Sequence, residues 1–175
     1  MKRNAQARFA RLLYPILTAL LAALTTALTL LAHIPFPMTS GGYVHLGDGA
    51  VYIAACLLPG PYAAAAAAIG CGLADLALGD VLWLPATLII KACMALLFTA
   101  KRPKMLCKRN VLAMLPATLV NVGGYFLYES LFLHEAAMLS VVGNIVQSAI
   151  AAGMFLLLAA AMDQLKIKSK FIKWR

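Results

Sequence analysis

"LLYPILTALLAALTTALTLLA", residues 12–32, contains no charged side chain. About 20 consecutive apolar residues cross the hydrocarbon core of a bilayer as a helix, and this run is 21 residues long. Lys2, Arg3, Arg8 and Arg11 precede it, as basic residues precede the apolar core of a secretory leader. A leader core has only about 7–15 residues, so a retained first membrane span is expected here.

The rest of the chain agrees with its opening. Of 175 residues, 63% are hydrophobic and 12% charged, and the mean hydropathy is +0.88. A soluble domain of this length could not hide so much apolar surface. The expected class is all-α: a polytopic membrane protein forming a six-transmembrane-helix bundle in one domain.

A net charge of +9 would suggest nucleic acid in a soluble protein, but the placement of the charges argues otherwise. Three clusters hold 14 of the 15 basic residues: Lys2 to Arg11, Lys101 to Arg109, and Lys166 to Arg175, with Lys91 alone outside them. Clustered Lys and Arg mark cytoplasmic loops and tails. Helices at about 12–33, 45–58, 61–79, 83–100, 111–133 and 138–162 put every cluster on one side. Both termini are then cytoplasmic, and residues 166–175 form a basic cytoplasmic tail. No nucleic-acid partner is expected; the lipid bilayer is.

The second segment is short for a crossing, and "PGP" at 59–61 punctuates the turn after it. The loop before it is therefore expected to enter the membrane region. The third opens "PYAAAAAAIGCGLA" (61–74), a small-residue surface that lets helices approach closely in lipid. Ala19, Ala23 and Ala27 repeat the device on one face of the first helix. Cys56, Cys71, Cys93 and Cys107 lack zinc-type spacing and read as packing residues.

With this topology the polar side chains gather in the outer half. Asp48, Asp75, Asp80, Glu129 and Glu135 lie in or beyond it, and Asp163 at the inner boundary. Asn121, Tyr125 and Glu129 are four apart, hence on one helical face. Asn144, Gln147 and Ser148 occupy the outer half of the sixth helix. Lys91 lies about two turns below Trp83 and needs a partner, because ionisable groups are costly in hydrocarbon; Asp75, Asp48 and Glu129 are within the same layer. It either pairs structurally with Asp75, locking the third helix to the fourth, or anchors a ligand. The expected shape is an outward pocket over an apolar cytoplasmic floor.

"GGYVHLGDGAVY", residues 41–52, lacks the Gly-Lys-Ser/Thr that completes a phosphate loop. A metal site from His33, His45 and Asp48 is a weaker reading than a lid, in which residues 35–43 cover the pocket and Tyr43 and His45 reach down. Asp48 is expected to cap the second helix, where a carboxylate suits the helix dipole.

"GGYVHLGD" (41–48), "GLADL" (72–76) and "LPATLIIKACM" (84–94) together resemble the substrate-binding S component of energy-coupling factor (ECF) vitamin transporters. The nearest likeness is to the hydroxymethylpyrimidine and pyridoxine types. The resemblance covers essentially the whole chain. It implies a six-helix protein of the bacterial plasma membrane that binds a vitamin-like small molecule near the outer face. It further implies assembly with a transmembrane coupling protein and two cytosolic ATPases. By region, the family's binding residues map onto Tyr43, His45, Lys91, Asn121, Tyr125, Glu129, Asn144 and Gln147, with Asp48 and Asp75 supporting the pocket. Its Ala-x-x-x-Ala coupling motif maps onto Ala19 and Ala23. Cobalt and nickel members begin Met-His; this sequence begins Met1-Lys2, which argues against a metal cargo. Neither cofactor nor enzymatic activity is expected. The main rival is a self-sufficient ion-coupled carrier, which would need a polar path to both sides. A membrane enzyme ranks third, since no nucleophile–base spacing stands out.

Overall fold

A computed structural model describes residues 2–35, 43–132 and 136–168. The regular secondary structure of the described residues is helical but for one two-residue strand pair. The helices are α1 (Lys2–Leu31), α2 (Gly47–Leu57), α3 (Gly60–Leu78), α4 (Leu84–Leu96), α5 (Lys108–Ser130) and α6 (Ala136–Gln164). Between α1 and α2, β1 (Ile34–Pro35) pairs antiparallel with β2 (Tyr43–Val44). The proposed lid residues 36–42 and Glu135 lie outside the described residues.

Four helices, α1, α3, α5 and α6, are long and apolar enough to cross a membrane. α1 begins ten residues earlier than expected, because Lys, Arg, Gln and Ala are good helix formers and nothing before Pro15 breaks the pattern. α2 and α4 are shorter, with 11 and 13 residues. α4 stops at Leu96 rather than near residue 100, and the chain then runs without helix to Lys108. Side chains hold that stretch in place. Asp163 accepts the Met105 and Leu106 N–H groups, both at 2.9 Å. The Asn110 amide bonds the Thr99 N–H and the Thr99 and Met105 carbonyls at 2.9–3.1 Å.

The short α2 is the centre of the bundle. Ten of its residues, Gly47 to Cys56, are buried. It packs against α1, α3, α4 and α6, while α1, α3, α4, α5 and α6 follow one another around the outside. The outer helices turn large apolar side chains outward: Leu119 is 73% exposed and Leu157 76%. Inside, Thr25, Asp48, Lys91, Asn110 and Asn121 are almost wholly buried. An apolar belt around a polar interior is stable only with lipid as the outer solvent.

Small residues set the closest contacts. A Cβ on Gly70 would meet the Ala22 carbonyl oxygen at 2.7 Å and Thr25 Cβ at 2.8 Å, so α1 and α3 touch backbone to backbone. The Thr26 hydroxyl donates to the Gly70 carbonyl at 2.7 Å across the same seam. Ala22 thus faces α3, whereas Ala19 and Ala23 are exposed. α3 ends at Gly79, whose φ of 85° is the left-handed conformation that glycine adopts without strain.

Gly70→Ala is expected to lower stability by about 1–3 kcal/mol, the usual cost of forcing a methyl group into a filled seam. Gly123→Ala, with nothing within 4 Å of its added methyl, should be neutral or stabilising by up to about 1 kcal/mol from helix propensity. Unfolding midpoints in detergent, compared across the two variants, check this.

Candidate ligand-binding site

A cavity of about 620 Å³, counting space open to solvent at its mouth, lies among the strand pair and α1, α3, α4, α5 and α6. Seven of the eight residues expected to contact a ligand line it: Tyr43, His45, Lys91, Tyr125, Glu129, Asn144 and Gln147. Asn121 sits behind the lining. Its carbonyl oxygen accepts from Lys91 at 2.8 Å, and its amide reaches Ser148 at 3.3 Å and Asn144 at 3.4 Å.

The deepest feature is an ion pair. Lys91 Nζ lies 2.8 Å from both carboxylate oxygens of Asp48, with Lys91 1% and Asp48 0% exposed. Gln147 Nε2 donates to the same carboxylate at 2.8 Å, and the lysine stands 5.2 Å above the Tyr125 ring. The expected Lys91–Asp75 pair is therefore corrected. Asp48 lies in the first turn of the central helix and faces α4 across the core, whereas Asp75 stands one turn from the end of α3. The capping role expected of Asp48 is corrected too: the cap position is Leu46, and no side chain caps it. The Asp48 side chain turns inward to Lys91, although first-turn placement still suits the helix dipole.

Asp75 instead accepts a hydrogen bond from the Tyr43 hydroxyl at 2.9 Å. Tyr43 is delivered by the strand pair and stacks edge-on against His33, their ring centres 4.4 Å apart. Glu129, at the end of α5, accepts from the Trp83 indole N–H at 2.8 Å. His45 Nδ1 accepts the Gly47 N–H at 3.0 Å, which fixes the ring where the chain enters α2. The nitrogen and carboxylate proposed for a metal are thus both engaged within the protein, and among the described residues no three His, Cys, Asp or Glu converge on a metal position.

The sequence reading did not single out Thr29, Thr87, Ser140 or Gly143, which also line the cavity. Thr87 bonds the Tyr125 hydroxyl at 2.8 Å, and its place one turn below Trp83 was the available signal. Asp80, in the turn between α3 and α4, completes the acidic side of the mouth. Burial first, and then the nearby Asp75 carboxylate, push its carboxyl above the ordinary value.

Below the ion pair the core is aromatic. Tyr52, one turn along α2 from Asp48, stacks on Phe98 at 4.7 Å, and Phe155 closes the cluster at 5.7 and 6.0 Å. Lower still, Cys56 accepts the Asn110 amide at 3.1 Å. The cavity therefore ends on a closed, mostly apolar floor.

Among the described residues, the helices thus enclose a polar cavity above an aromatic, mostly apolar layer. Residues 15–164 match the family model described as ECF-type riboflavin transporter, S component. The chain belongs to this family. No individual curated protein matches it. Membership makes this S component a multi-pass membrane protein of a transport system and not of an enzyme class. The match supports the resemblance read from the motifs at the level of S components, while its description carries riboflavin and not the hydroxymethylpyrimidine or pyridoxine type.

Lys91→Met should destabilise the protein by about 3–5 kcal/mol, because it leaves the Asp48 charge buried and unpaired. Adding Asp48→Asn should recover most of the loss, and adding Asp75→Asn little of it. The check is thermal unfolding of the three variants in detergent; rescue through Asp75 instead of Asp48 would contradict the observed pair.

Proposed function

We propose that this S component captures a flat-ring vitamin of the riboflavin class from outside a bacterial cell and passes it to an ECF coupling protein driven by two cytosolic ATPases. The observation that carries the reading is the cavity with its closed floor. Aromatic Tyr43, Trp83 and Tyr125 suit a planar ring, and the amides and carboxyls beside them suit polar substituents.

In this reading all six helices belong to the membrane, with both termini cytoplasmic. α2 and α4 span only about 16–20 Å at 1.5 Å per residue, short of the ~30 Å core. Irregular backbone at membrane depth is tolerated where protein encloses it. The strand pair at one end of α2 and the stretch after α4 at the other supply the missing depth. Their positions suit that role, since Asn110 and Asp163 bond the backbone after α4.

A closed floor means that cargo cannot leave inward through the bundle as it stands. Release then requires a partner that shifts the whole subunit. The Ala19–Ala23 stripe is exposed on α1, and small residues there allow close helix docking. A self-sufficient carrier would instead need a polar route past Tyr52, Phe98 and Phe155.

Replacing Ala19 and Ala23 together with Leu should leave ligand binding by the isolated protein unchanged but prevent assembly with the coupling protein and abolish ATP-driven uptake. Vesicles containing this protein alone should accumulate no riboflavin under an ion gradient. Saturable accumulation there would establish the carrier instead. For topology, Cys107, half-buried beside Lys108 and Arg109, should react with a membrane-impermeant thiol reagent only after cells are opened. Labelling in intact cells would invert the arrangement.

A further inference from the structure

The cavity contains two carboxylates built alike. Asp75, at the end of α3, receives the Tyr43 hydroxyl on Oδ1. Glu129, at the end of α5, receives the Trp83 indole N–H on Oε1. In each case a neutral aromatic donor holds one oxygen. The other oxygens, Asp75 Oδ2 and Glu129 Oε2, are buried and accept no hydrogen bond of good geometry among the described residues, although the Thr87 hydroxyl also lies close to the Asp75 carboxylate. Both side chains line the cavity, and they are only 5% and 6% exposed. A buried polar atom without a partner is destabilising and uncommon in native proteins. Two of them on one cavity, each in a carboxylate already oriented by its aromatic neighbour, make a pair of preset acceptors.

The positive charge nearby does not offset them. Lys91 is held by both oxygens of Asp48 and by Asn121, so its charge is neutralised within the core. Formally, the Lys91–Asp48 pair cancels, and Asp75, Glu129 and Asp80 leave the cavity wall acidic. An anionic group entering this space would meet carboxylates with no free cation among the described lining residues to balance it. Like charges in a site of low dielectric strongly disfavour binding.

We propose that Asp75 and Glu129 set the cargo specificity of this cavity, accepting hydrogen bonds from N–H or O–H groups of a neutral or cationic ring compound and excluding derivatives that carry a phosphate or carboxylate. The inference rests on the reading of the cavity as the cargo site. It also reverses the role that the sequence suggests for Lys91, which becomes a structural member of the floor and not an anion anchor. The donors supplied by cargo would complete the two carboxylates, much as a site built for a hydroxyl or N–H rejects analogues that leave its buried groups unpaired.

The test compares riboflavin with its 5′-phosphate, by quenching of flavin fluorescence, on the detergent-solubilised protein and on Asp75→Asn and Glu129→Gln. Wild type should bind riboflavin at least about tenfold more tightly than the phosphate. Each variant should weaken riboflavin binding by about tenfold or more, as expected for a hydrogen bond to a charged group, and should narrow the preference over the phosphate. Because the preference is a ratio, a uniform loss of folded protein does not change it. Equal affinity for the two flavins in wild type, or an unchanged preference in both folded variants, would overturn the assignment. If wild type binds neither flavin, the riboflavin-class cargo is wrong, and the compound co-purifying from the native membrane, identified by mass spectrometry, decides the specificity instead. A neutral or cationic compound bearing N–H or O–H donors supports the acceptor pair; a phosphate or carboxylate compound refutes it. The same mass spectrum decides the matter should the variants fail to fold.

Discussion

A lysine buried among apolar helices must be matched or it unfolds the protein around it. In this bundle the match is Asp48, 2.8 Å from Lys91, and the consequences of that contact reach most of the fold. Desolvating two charges costs several kcal/mol per ion, and their attraction offsets this only when the remaining hydrogen-bonding capacity is also filled. Asn121 takes a second donor from the lysine, and Gln147 donates to the carboxylate. The four side chains come from α4, α2, α5 and α6, so satisfying one charge ties four helices together. α2 has no lipid-facing side of its own. Its burial among its neighbours and the neutralisation of its Asp48 are the same structural fact.

Successive turns of α2 order the functional layers. Asp48 lies at the cavity, Tyr52 in the aromatic floor, and Cys56 against Asn110, which holds the stretch after α4. Each step of four residues moves from polar to apolar to clamped backbone. A short central helix can carry three environments in this way because the outer helices, and not α2, meet the lipid. The longer α1, α3, α5 and α6 provide the span, and the strand pair brings Tyr43 over the cavity.

The cavity combines rigid and unsatisfied elements. The Lys91 network, the Thr87–Tyr125 bond and His45 with the Gly47 N–H are closed within the protein. Asp75 and Glu129 are each half closed. That contrast separates residues that shape the site from residues with capacity to recognise something in it, a distinction that lining the cavity does not make by itself. It also explains why Asn121, expected among the ligand contacts, acts one layer behind them: both ends of its amide are engaged by Lys91, Ser148 and Asn144.

Much of this was legible in the sequence because it depends on local properties. Apolar run length and composition require a lipid solvent, four-residue spacing puts Asn121, Tyr125 and Glu129 on one face, and the basic clusters bear on sidedness. The motifs at 41–48, 72–76 and 84–94 were enough to suggest the S-component class that the family match supports. Partnership was not legible. Asp48, Asp75 and Glu129 were all near enough in depth to serve Lys91, and only the packing of α2 into the centre, bringing residues 43 positions apart into contact, selected Asp48. Depth follows from counting residues along a helix. Which carboxylate meets a lysine, and which keeps an oxygen free, depends on how helices rotate and pack about one another, and no periodicity records that.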